Sequence, residues 1–144
     1  MEEFVNRTVE GWNNEKIAIK KEVVLAIVGS QEKYFTLEDK ETARVLIIHL
    51  LETYKPDLVV SGGASGIDSW AAKIARAAGF EVEEFLPENA RWAPHGFMER
   101  NIKVAKRCTV LGRIAHSKST TYGSGWTRDY AARLGKEVVE FEVG

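Results

Sequence analysis

The chain is 144 residues long, 44% hydrophobic and 28% charged, the composition of one soluble globular domain with a core large enough to need no disulfide or structural metal. Twenty basic residues stand against 21 acidic ones, a formal net charge of -1, which excludes a uniformly basic nucleic-acid or anionic-membrane binder. The single cysteine, Cys108, excludes an internal disulfide and a multi-cysteine zinc site and fits a reducing compartment, so the cytoplasm is the expected location.

No apolar run approaches the ~20 residues of a membrane span, and the acidic start Met1-Glu2-Glu3 lacks the positive region of a signal peptide. Residues 1–22 have no clear period and read as an N-terminal extension or edge strand, with Lys16 to Ile19 as the candidate; residues 23–144 read as one domain. Short β-branched runs there alternate with segments of helical period, the pattern of a parallel sheet with crossover helices. The first strand is Val23 to Gly29, and Thr36-Leu37-Glu38-Asp39 then opens a helix with a capping box that ends before Pro56. The second strand, Asp57 to Val60, enters Ser61-Gly62-Gly63-Ala64-Ser65-Gly66 and a helix from Ile67 to Ala78. A third strand, Glu81 to Leu86, is followed by a loop with Trp92, Pro94 and His95 and by a helix from Phe97 to Arg107. The fourth strand, Thr109 to Ala115, leads through a polar loop, Ser117 to Gly125, to a helix from Trp126 to Leu134 and a fifth strand, Glu137 to Val143. The expected fold is therefore α/β, a three-layer Rossmann-like arrangement of about five mainly parallel strands with helices on both faces.

In such a sheet, ligands bind beyond the carboxyl ends of the strands, where strand order reverses. That selects Gly29, Ser30 and Gln31, the loop Ser61, Gly62, Gly63, Ala64 and Gly66 with Asp68, and the later cluster Gly123, Ser124, Gly125 and Thr127. Glycines before a helix let backbone N–H groups approach a phosphate, which makes the Ser61–Gly66 loop a candidate cradle. The alternative is a tight strand-to-helix turn with Ser65 and Asp68 as its capping box. Arg100 could fork onto a phosphate and Asn101 add an amide contact, or both could lie on a solvated helix face. Thr127 reads equally as a plain N-cap, and Trp92 and Trp126 as a stacking wall for a base or as a lid over the core edge. From Arg100 to Lys136 nine basic residues accompany one acid, Asp129, so the charge is asymmetric and part of the run borders the expected crevice. His49, His95 and His116 are dispersed, with only His95 near the crevice, and Cys108 reads as a buried small hydrophobe; neither a metal site nor a cofactor is expected.

These clusters, a Gly-Ser-Gln strand end, a Ser-Gly-Gly-Ala-Ser-Gly-Ile-Asp loop, an Arg-Asn helix start and a Gly-Ser-Gly-x-Thr stretch, resemble the SLOG superfamily. It includes DNA-processing protein A (DprA/SMF), the LOG cytokinin-activating phosphoribohydrolases and small YspA-like proteins, and the short single-domain length looks most like the last. The resemblance spans residues 23 to 143 and implies a Rossmann-like sheet binding a nucleotide or phosphorylated nucleotide-derived ligand as a sensor or effector module. Two alternatives come with it: a LOG-type nucleoside monophosphate phosphoribohydrolase using Arg100 with Asp68, or with Glu99 or Asp129, in place of the family's glutamate, and DprA-like single-stranded DNA binding. The chain departs from the family at two places. Gln31 replaces an arginine of DprA, and Tyr130 stands where LOG proteins carry their catalytic glutamate, with Asp129 one residue short. Many members dimerise, so a homodimer is among the expectations, and a membrane is not.

Overall fold

A computed structural model describes residues 21–144 in full, together with the backbone of Phe4–Val5 and Ile19–Lys20. Those two segments, β1 (Phe4–Val5) and β2 (Ile19–Lys20), pair antiparallel in a ribbon of their own. The candidate edge strand therefore overlaps β2 only at Ile19; Lys16 to Ala18 lie outside the described residues.

The main sheet holds β3 (Val24–Gly29), β4 (Leu58–Ser61), β5 (Val82–Glu84), β6 (Val110–His116) and β7 (Glu137–Val143). All pairings are parallel, in the order β5-β4-β3-β6-β7. β3 is central, and its unbroken apolar run suits a strand buried on both faces. Leu25 and Ile27 point into one core with α1 (Leu37–Tyr54) and α2 (Ile67–Ala77), represented by Ile47, Leu50, Ala71 and Ala75. Val24, Ala26 and Val28 point into the other with α3 (Phe97–Arg107) and α4 (Gly123–Arg133), through Val104, Ala105 and Ala131. Two helices on each face of a parallel sheet is the Rossmann-like architecture expected.

α1 opens with the capping box read from sequence: Asp39 N–H donates to Thr36 Oγ1 at 3.1 Å, and Thr36 N–H donates to Asp39 Oδ2 at 3.2 Å. Three local expectations need correction. β5 is shorter than Glu81 to Leu86, because at this sheet edge Leu86 turns 64% exposed instead of extending the ladder. α4 begins at Gly123, three residues before Trp126, so Gly123, Ser124 and Gly125 form its first turn. A single 3-10 turn at Glu32–Tyr34 follows β3. No helix among the described residues is long and apolar enough to cross a membrane.

From β3 the chain moves outward through β4 to β5, then crosses to β6 and β7 on the other side. The switch point thus lies between β3 and β6, and the loops leaving β3, β4 and β6 converge there.

Candidate functional site

A cavity of about 480 Å³ opens at those strand ends. Its walls are apolar and aromatic, with Trp92, Trp126 and Phe97 prominent, and its buried polar lining comprises Asp68, Arg100, Asn101 and Thr127. Thr121, Tyr122 and the start of α4 form its more exposed side.

The Ser61–Gly66 loop is built around the protein's own carboxylate. Asp68 Oδ2 accepts from Ala64 N–H at 3.4 Å, and the N–H groups of Gly29 and Gly62 add to the stabilisation of its charge. Ser61 Oγ donates to the Asp68 carbonyl at 3.0 Å and accepts from Gly63 N–H at 3.2 Å. Gly66 sits at the helix start with φ +87, and a Cβ there would lie 2.4 Å from the Ser30 carbonyl oxygen and 2.5 Å from Glu32 N. Ser65 does not cap α2, which has no side-chain cap at all. Burial pushes the Asp68 carboxyl up to about 6, opposed by the Arg100 charge and then by the loop N–H groups.

Arg100 and Asn101 are not a solvated helix face. The Arg100 guanidinium donates through Nε to Asn101 Oδ1 at 2.7 Å and through Nη1 to the Gly62 carbonyl, and it lies 5.4 Å from the Phe97 ring centroid. A Cβ on Gly62 would fall 2.8 Å from Asp68 Oδ2 and 3.0 Å from Arg100 Nη1, so the carboxylate and the cation flank a position that has no room for a side chain. Burial lowers the Arg100 pKa and the Asp68 charge raises it.

The start of α4 differs. No side chain caps it, and its first turn carries no acid, so the N–H groups of Gly123 and Ser124 and the positive end of the helix dipole border the cavity. Thr127 is not an N-cap: its hydroxyl donates back to the Gly123 carbonyl at 3.0 Å from inside the helix. Ser124 Oγ accepts from Arg113 Nε at 3.0 Å. Trp126 stacks on Tyr130 with ring centroids 5.4 Å apart and meets Trp92 edge-on at 5.0 Å, a braced aromatic wall rather than loose loop residues.

Of the residues selected from sequence, Gly29, Gln31, Gly62, Ala64, Asp68, Arg100, Asn101, Gly123, Ser124 and Thr127 line this cavity. Ser30, Ser61, Gly63, Gly66 and Gly125 stand behind it and shape the turns. Ser30 Oγ, for one, accepts the His116 N–H at 2.8 Å. His95 does not line the cavity; it sits in the exposed loop with its ring 3.8 Å from Glu88. Three arginines of the basic run are paired within the fold. Arg113 and Arg128 share Glu140 at 3.0 and 2.9 Å, Arg128 also pairs with Asp129, and Arg107 faces Glu22 and Glu83, which leaves Arg100 as the cation lining the cavity. Asp129 also accepts the Tyr122 hydroxyl and is not among the residues that line the cavity. Cys108 is buried, and burial pushes its thiol up to about 11.

Sequence spacing missed one polar pair. His116 Nε2 and Asp39 Oδ2 lie 2.8 Å apart, while His116 Nδ1 accepts the Lys118 N–H at 3.1 Å, which places the ring hydrogen on Nε2, donating to Asp39. Phe35 packs edge-on against this imidazole at 5.0 Å. The partners are too far apart in the chain for a local pattern to reveal.

No protein-family model matches the sequence, and no curated protein matches it. Solved structures do. The molybdenum cofactor carrier protein of Chlamydomonas reinhardtii superposes with a TM-score of 0.63 at 18% identity, over 84% of this chain and 76% of that one. TM1055 gives 0.61 at 21% identity, over 81% and 72%. DprA of Helicobacter pylori, described for its single-stranded DNA binding mode, gives 0.55 at 16% identity, over 96% and 80%. The chain shares the Rossmann-like fold of these structures. At such identities the likeness is one of architecture, and the chemistry of the crevice rests on this chain's own side chains.

Proposed function

We propose that this chain binds a nucleotide or phosphorylated nucleotide-derived ligand in the crevice and acts as a sensor or effector module. The observation that carries the reading is the pairing, in one cavity, of a braced tryptophan wall with the uncapped, acid-free start of α4. Free N–H groups at a helix start suit a phosphate, and an aromatic wall suits a base. Arg100 adds positive charge from beneath, held in place by Gly62 and Asn101. A ligand selective for the folded state stabilises it by about 2.7 kcal/mol at 100 times its Kd. A nucleotide panel is therefore expected to raise the wild-type melting temperature well beyond any shift seen in Arg100→Ala. Equal shifts in the two proteins would count against the reading.

A second reading, hydrolysis of a nucleoside monophosphate at its N-glycosidic bond, is favoured by one feature. Among the described residues Asp68 is the sole acid lining the cavity, and a carboxylate there could stabilise positive charge developing on ribose. Tyr130, at the place of the LOG glutamate, is instead stacked on Trp126. Release of free base and ribose phosphate that is abolished in Asp68→Asn would support the enzyme; absence of turnover across the common monophosphates leaves the binding module. Of the basic run, Arg107, Arg113 and Arg128 are held in internal ion pairs and Arg100 alone lines the described cavity, which gives no comparable support to DNA binding there.

A further inference from the structure

At the bottom of the cavity Arg100 and Asn101 are bonded to each other, with the Asp68 carboxylate near Arg100 and bonded to its own loop, and this leaves a defined set of atoms over. A guanidinium can only donate, so the Arg100 Nε contact at 2.7 Å orients the Asn101 amide with its oxygen toward Arg100 and its Nδ2 away. Arg100 uses Nη1 on the Gly62 carbonyl, and Nη2 has no acceptor within the described residues; neither has Asn101 Nδ2. No enclosed side-chain nitrogen or oxygen among the described residues lacks a partner, so these two donors are open to the cavity that both residues line. The hydrogen bond to the Asp68 carboxylate among the described residues is the long one from Ala64 N–H, and a carboxylate has about four lone-pair sites, so it keeps acceptor capacity. The result is two donors from one hydrogen-bonded pair, close to one acceptor, beneath an aromatic wall.

We infer that this arrangement reads the edge of a planar heterocycle that carries a carbonyl beside a ring N–H, the lactam edge of guanine, hypoxanthine or uracil, with the ring packed against Trp92 and Trp126. The carbonyl has two lone pairs, one for Asn101 Nδ2 and one for Arg100 Nη2, and the ring N–H donates to Asp68. Adenine and cytosine carry an exocyclic amine in place of that carbonyl and an unprotonated ring nitrogen in place of the ring N–H; turned so that the amine donates to Asp68, they offer the two donors a ring nitrogen with a single lone pair. One of the two buried donors then goes unpaired, and sites built around hydrogen bonds discriminate strongly against ligands that leave their polar groups unmatched. The inference rests on the nucleotide-binding reading and specifies which bases that site accepts.

The test is equilibrium titration of the full chain, followed by tryptophan fluorescence or calorimetry, with GMP, IMP, UMP, AMP, CMP and ribose 5-phosphate. GMP, IMP and UMP are expected to bind at least about tenfold more tightly than AMP and CMP, a difference equivalent to one unmatched hydrogen bond. Asn101→Asp keeps an oxygen toward Arg100 and replaces the Nδ2 donor with an acceptor, and is expected to narrow or reverse that ranking. Equal affinities across the five nucleotides, or a preference for AMP and CMP, overturn the base assignment and leave nucleotide binding standing. A ranking unchanged in folded Asn101→Asp does the same. If none of the five binds, the nucleotide reading falls and the base assignment with it.

Discussion

Two glycine-bearing turns lead from strand ends into helices on the rim of the same crevice, and they have opposite fates. The turn before α2 closes on itself: Gly66 is forced to φ +87 against the Ser30 and Glu32 backbone, and the loop N–H groups face Asp68. The turn before α4 stays open, with no side-chain cap, no acid in its first turn and free space around Gly123. A glycine-rich loop before a helix is thus insufficient evidence of a phosphate cradle. What decides is whether the protein already supplies the anion, and at α2 it does.

The comparison can be broken most violently at Gly66. Gly66→Ala combines a left-handed φ with two contacts to backbone atoms that cannot move away, and is expected to cost on the order of 4 kcal/mol in urea unfolding. Gly123→Ala, where a Cβ meets nothing, is the control and should leave stability nearly unchanged. A similar loss at both sites would erase the distinction.

The next effect lies in pH. Folding raises the Asp68 pKa from 3.8 to about 6, so the native state holds the proton where the unfolded chain has released it. This contribution is fully present below the unfolded value and is lost as pH rises through the folded one. Stability of the wild type relative to Asp68→Asn should therefore decline by about 2 kcal/mol between pH 4 and 6, out of about 3 kcal/mol over the whole titration. A flat difference across that range would mean that the carboxylate is not carried into the fold at the cost of its ionisation.

The smallest effect sharpens the contrast by making α4 resemble α2. Ser124→Asp places an acid in the first turn, beside Arg113, and is expected to stabilise the helix by about 0.5 kcal/mol while abolishing any nucleotide-induced thermal shift. Retention of the full shift would place the phosphate elsewhere.

The alternation of apolar runs and helical periods made the parallel sheet legible, and the Thr36–Asp39 box marked the start of α1, because both are local properties of backbone and side chain. The first turn of α4 was not legible: glycine and serine have weak helix propensity, and only the packing of Gly125 against Tyr122 and the Arg113–Ser124 bond show that they are helical. Arg100 and Asn101 could be singled out as types, but their burial beside Gly62 is a long-range fact. Likewise the basic segment from Arg100 to Lys136 looked like a field for phosphates until Glu140, from the neighbouring strand, was found between two of its arginines.

Cys108 has a practical consequence. It is fully enclosed, its thiol donates to the Ala105 carbonyl, and its pKa of about 11 leaves almost no thiolate at neutral pH. To a maleimide or a spin label the chain is nearly blank. A cysteine introduced at an exposed position such as Lys118 would then be the one reactive handle, so a single reporter could be set beside the crevice with the native thiol left in place.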